Sequence, residues 1–158
     1  MLYAVLKSIH LLALIAWIGG MFFTLFCLRP SLTVLEGPMR LRLMHEVLRR
    51  FFGVVSVAAL LVLVSGVWMI AGDARAAGRA GVGLNMPIDW YVMAVLGMLM
   101  VAIFAVVRFV FFRQLSRTVE AQAWPEAARV LGSISRAVQI NLALGVIIIV
   151  VTRAGTAL

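Results

Sequence analysis

Hydrophobic positions fall into four long runs separated by short basic segments. A helix needs roughly 20 mainly apolar residues to cross a bilayer. The runs predict spans over residues 2–28, 51–71, 89–112 and 131–152, the second of them free of charge. The uninterrupted apolar part of the fourth, Ala137 to Thr152, is short, and Arg136 and Arg153 beside it extend its reach by snorkelling. The expected fold is all-α: an integral membrane bundle of four transmembrane helices, one domain over residues 1–158. The first run continues straight into LFCLRP with no small-residue cleavage site. It therefore reads as a retained helix, not a cleaved signal peptide.

The connections carry the turn signals. Pro30 and the Gly37-Pro38 pair break the first, and MRLRLMHEVLRRFF predicts a basic helix leading into the second span. Residues 72–89 hold four glycines and predict a flexible turn. Trp124-Pro125-Glu126 predicts a helix start, with proline in the first turn.

Composition strengthens this picture. Hydrophobic residues make up 65% and charged residues 13%, with mean hydropathy +1.12. A soluble domain is about a quarter charged, so this chain lacks a polar coat. The net charge of +8 does not point to nucleic acid, because the basic residues sit where membrane proteins keep them, beside apolar runs. The first and third connections hold nine Lys and Arg, against Lys7, Arg75, Arg79 and Arg153 on the other side. The excess of positive charge predicts that both termini lie outside the cytoplasm. Arg29, Arg40, Arg42, Arg49 and Arg50 are then expected to meet anionic lipids at the cytoplasmic face. A homo-oligomer is compatible with all of this.

Ionisable groups inside a membrane are costly and default to functional roles. His10 is the foremost candidate, within the first run. Helical spacing puts Lys7, His10, Trp17, Gly20 and Thr24 near one stripe. From His10 to Leu28 is about 27 Å of helix rise, and His45 precedes the second span on that far side. The two histidines therefore cannot share one metal. Met69 and Met93 fall on the His10 side, as do Met1 and Met86. Met39, Met44, Cys27 and His45 fall on the other. Thioether, thiolate and imidazole suit Cu(I), while methionine is also an ordinary gap filler. His45 is expected at headgroup level, solvated. In the third run Met93, Gly97, Met100, Phe104 and Arg108 follow helical spacing, and Gly97 would admit a flat ring close to the backbone. Asn141, near mid-membrane in the fourth run, is expected to hydrogen-bond across helices. No Ser/His/Asp set, buried carboxylate pair, phosphate loop or CxxC is present, so no catalytic residue is assigned and enzymatic activity is left open.

The segments LKSIHLLALIAWIGGMFFTLFCLRPSL, RRFFGVVS, LVSGVWMI, NMPIDWYVM and RAVQINLALG, in this order, resemble the CopD-like (copper resistance D) membrane family in its short stand-alone form. His10, Trp17, Gly19, Gly20, Arg29, Pro30, Gly66, Asn141 and Gly145 carry the likeness. It implies a bacterial-type inner membrane location and a role around copper. The first helix is also similar to HemJ-type protoporphyrinogen oxidases through His10, Trp17 and Gly20, with Arg136 and Asn141 matching their last helix. The sequence departs from that pattern after the first helix, and Leu142 stands where an acidic residue is expected. That likeness implies haem b, not oxidase activity. Three functions follow as expectations. The first is a His10-centred haem b site for electron transfer, with Trp17, Gly20, Met69, Met93, Gly97, Arg136 and Asn141 around it. The second is Cu(I) uptake or transport through His10 and methionines. The third is a cofactor-free assembly subunit.

Overall fold

A computed structural model describes the backbone of residues 1–79, 81 and 88–155, and the side chains of these except Asp89 and residues 153–155. Met86 and the Arg153 side chain lie outside the described residues. Four helices are long and apolar enough to cross a membrane: α1 (Leu2–Val34), α2 (Gly37–Arg79), α3 (Trp90–Glu120) and α4 (Trp124–Thr152). Among the described residues there is no strand. The protein is an all-α transmembrane bundle, as the four apolar runs predicted.

The helices outrun the apolar segments. The basic stretch 37–50 joins the second span in one helix of 43 residues. Gly37 and Pro38 open it, proline being suited to a first turn. Of the flexible turn expected at 72–89, residues 72–79 are helical instead, because α2 continues through GDARAAGR to Arg79, while residues 80 and 82–87 lie outside the described residues. Three alanines and two arginines, both strong helix formers, outweigh Gly72 and Gly78 there. Two π turns interrupt the helices, Thr24–Leu28 in α1 and Val107–Phe111 in α3.

Neighbouring helices run antiparallel. His10 of α1 meets Ser65 of α2, while Gly20 lies against Phe51. In α3 and α4, Met100 approaches Gly145 and Gln114 bonds Glu126. The chain thus forms two helical hairpins packed side by side. Their core is aromatic: Trp17 and Phe52 each meet Phe104 edge-on, at 5.7 and 6.0 Å between ring centres, and Phe52 meets Phe112 at 5.3 Å. In lipid, van der Waals fit holds helices together, and these rings supply it. Gly20 and Gly145 make the close approaches possible. A Cβ at Gly20 would collide with the Phe51 ring, and one at Gly145 would stand 3.1 Å from Ile18. Leu11, Ile15, Phe22, Val57 and Ile149 face outward, as lipid-facing positions do.

The turn between α3 and α4 has a backbone cost. Ala123 N–H donates to the Thr118 carbonyl and Gln122 N–H to that of Val119. This pairing closes a helix around one left-handed residue. That residue is Gln122, with φ +54°, where glycine is the usual occupant. Gln122→Gly is expected to stabilise the folded protein by about 0.5–1 kcal/mol, read as a raised unfolding midpoint in detergent.

Candidate functional site

His10 sits on the α2-facing side of α1, half-buried. Its Nδ1 is 2.9 Å from Ser65 Oγ, and its Cε1 lies beside the backbone of Gly66, 3.6 Å from where a Cβ would be. Ser65 is buried and directs its hydroxyl at the Leu61 carbonyl one turn back. A hydroxyl carries one proton. With that proton on the Leu61 carbonyl, Ser65 Oγ accepts from His10, so Nδ1 bears the imidazole proton. In that tautomer the neutral ring keeps a lone pair on Nε2. Fixing one ring nitrogen through a hydrogen bond is how proteins orient a ligand histidine.

The predicted site residues separate into two layers. Met69 lies one turn beyond Ser65 on α2 and is partly buried. Met93 packs against the core from α3. In the register set by Trp17 with Phe104 and Ile18 with Met100, Met93 and Gly97 share the depth of His10. Gly97 borders open space. Trp17 is seven residues deeper, about 10 Å of rise, and is 2% exposed. Asn141 shares a small cavity with Trp17, Gly20 is filled by Phe51, and Arg136 is exposed, donating to Ser133 Oγ at 3.4 Å. Met69, Met93 and Gly97 lie towards the His10 end of the bundle, and Trp17, Gly20, Arg136 and Asn141 lie deeper. The expected stripe also divides, since Lys7 is exposed while Trp17 and Thr24 are buried.

Asn141 differs from its expectation. It is 3% exposed, and its Oδ1 has no hydrogen-bond partner among the described residues. The cavity beside it leaves a volume of about 10 Å³, near the least that holds one water. An unpaired buried oxygen costs about 1–3 kcal/mol. Asn141→Leu, of similar size, is expected to raise stability by about 1 kcal/mol, measured as resistance to unfolding in detergent.

His45 also departs from expectation. It is stacked on Phe112, with ring centres 5.2 Å apart, and its Nε2 is 2.9 Å from Ser116 Oγ. Ser116 in turn reaches the Phe112 carbonyl at 3.0 Å, and Glu46 stands 4.0 Å from His45 Nδ1. The ring is thus built into the α2–α3 contact and is not freely solvated. The two histidines are far apart: Ser65, which holds His10, is 20 residues from His45 on the same helix, about 30 Å of rise. Sequence reasoning overlooked both serines. Their one visible signal is a lone hydroxyl in an apolar or basic stretch. Among the described residues, no three His, Cys, Asp or Glu side chains group as a metal site.

Residues 45–154 match the family model described as copper resistance protein D. No curated protein and no solved structure matches the chain.

Proposed function

The chain belongs to the copper resistance protein D family, and from that premise we propose that it takes Cu(I) as cargo at the His10 end of the bundle. The supporting observation is the His10 Nδ1–Ser65 Oγ contact of 2.9 Å, which fixes the ring against α2 and, in the tautomer with the proton on Nδ1, leaves a lone pair on Nε2. Met69 and Met93 towards the same end of the bundle offer thioethers, and imidazole with thioether makes a soft site suited to Cu(I). The matched segment starts at His45, so the His10 assignment rests on this geometry and not on the match.

Copper arriving at His10 faces a closed interior. Passage towards Cys27, Met39 and Met44 at the opposite end requires the Trp17–Phe104–Phe52 contacts to part. The distribution of arginines supports an inner-membrane chain with both termini outside the cytoplasm, which puts His10 on the side where external copper arrives.

The surroundings of His10 do not favour haem b. The ring is packed against Gly66. His10 is absent from the walls of the cavities beside Arg29 and Arg40, beside Trp17 and Asn141, and along Ile103 and Ile140. The test is a competition titration of the purified protein against a chromogenic Cu(I) chelator. One Cu(I) held per chain, and lost in His10→Ala, sustains the proposal. No uptake by the unaltered protein, or equal uptake by the variant, overturns it.

A further inference from the structure

We propose that the basic end of the bundle binds the phosphate of an anionic phospholipid, in the cavity between the α1–α2 turn and the start of α4. This is independent of the copper reading. The cavity measures about 700 Å³, within the range of ligand pockets. Arg29 and Arg40 line it together with Trp124, and Leu25, Leu41 and Leu131 give it an apolar wall.

The arginines of this end differ in what they hold. Arg49 is paired with Glu46, and Arg129 with Glu126. Arg42 lies 5.3 Å over the Trp124 ring. Arg29 and Arg40 have no carboxylate or ring partner among the described residues. Two like charges therefore converge on one cavity with no anion from the protein to offset them. Glu36 is next in sequence to a wall residue, but is itself exposed and outside the wall. Glu126 is engaged by Arg129 and Gln114.

Local structure accounts for the convergence. A π turn ends at Leu28, immediately before Arg29. Such a turn inserts an extra residue and offsets the helix beyond it. Arg29 there faces α4, where it also borders Leu131 and Ile134. Arg40 enters from the first turns of α2. The starts of α2 and α4 both contribute to the wall, and their dipoles add to the positive potential.

Phosphate suits this arrangement because guanidinium forks bind its oxygens in pairs. The leucine wall selects the lipid over a free anion, since it offers contact to the glycerol and upper acyl chains and nothing to a hydrated ion. The cavity also lies at the end of membrane-spanning helices, where headgroups are found.

Native mass spectrometry of the purified full chain reads the proposal. The protein is incubated with phosphatidylglycerol or phosphatidylcholine of identical acyl chains, and retained lipid is counted. The unaltered chain is expected to retain phosphatidylglycerol preferentially. The double variant Arg29→Gln with Arg40→Gln is expected to lose that preference at least about tenfold, as for a lost hydrogen bond to a charged group. Leu131→Trp, which fills the wall without altering charge, is expected to lower retention too. Arg113→Gln with Arg117→Gln, exposed arginines of the same end outside the cavity, should leave the preference intact. Equal loss in both double variants reduces the effect to general surface attraction and overturns the proposal. So does a lack of preference in the unaltered chain. Displacement of the lipid by millimolar inorganic phosphate would assign the cavity to a soluble anion and overturn the lipid reading.

Discussion

His10→Ala is expected to lower Cu(I) affinity by more than about 100-fold. Removing a partner that orients a ligand costs about 10–100-fold, and removing the ligand itself exceeds that. Ser65→Ala is expected to fall within the 10–100-fold range, although Ser65 touches no metal. Without its oxygen, His10 Nδ1 loses the partner 2.9 Å away, and the tautomer and ring angle are held less firmly. The two variants separate a ligand from a positioning residue. His10→Ala should remove the bound ion from the stoichiometry, whereas Ser65→Ala should keep one ion per chain at weaker affinity. Replacing Met69 or Met93 by Leu, close in volume, should also weaken binding without disturbing the bundle. A His10→Ala protein that competes with the chelator as well as the unaltered chain would end the His10 assignment. A Ser65→Ala protein with full affinity would remove the tautomer argument while leaving His10 in place.

Much of this arrangement is legible in the sequence, for physical reasons. A bilayer demands long apolar runs, so the four helices announce themselves. The far separation of His10 from His45 follows from helix rise alone. Helix ends are less legible, because hydropathy marks the lipid boundary and not the end of backbone hydrogen bonding. That is why α2 extends both before Phe51 and past Ala71. The partners of His10 and His45 needed the register between helices. Ser65 and Ser116 are nearly silent in hydropathy, and only the α1–α2 and α2–α3 contacts give them roles. Gly20 illustrates the same limit. Its small size is visible in sequence, but Phe51 as the group that fills its space is not. Asn141 marks the opposite error. Polarity in an apolar run predicts a hydrogen bond, whereas its oxygen faces a small cavity. Arg29 and Arg40 read as two of many basic residues until the fold brings both, and no other arginine among the described residues, to the wall of one cavity.

Phe52→Ala is expected to cost about 3 kcal/mol of stability. Phe52 is 1% exposed and touches Phe104 and Phe112 of α3 from its place on α2. It therefore links the first hairpin to the second. Burying a ring that is already in lipid gains little from the hydrophobic effect, so the loss is mainly of dispersion contacts. That places the cost at the lower end of the 3–5 kcal/mol typical of Phe→Ala in cores. Phe52→Leu retains part of the volume and is expected to cost about half as much. Unfolding of the purified variants by a denaturing detergent measures both. A loss below about 1 kcal/mol for Phe52→Ala would mean that the aromatic core is not what joins the hairpins. The same variant also guards the copper assignment. Ser65 lies 13 residues from Phe52 on α2, about 20 Å of rise. A folded Phe52→Ala protein should therefore bind Cu(I) with unchanged affinity even as its unfolding midpoint drops. A parallel fall in affinity would show that copper binding follows general stability and not the His10–Ser65 pair.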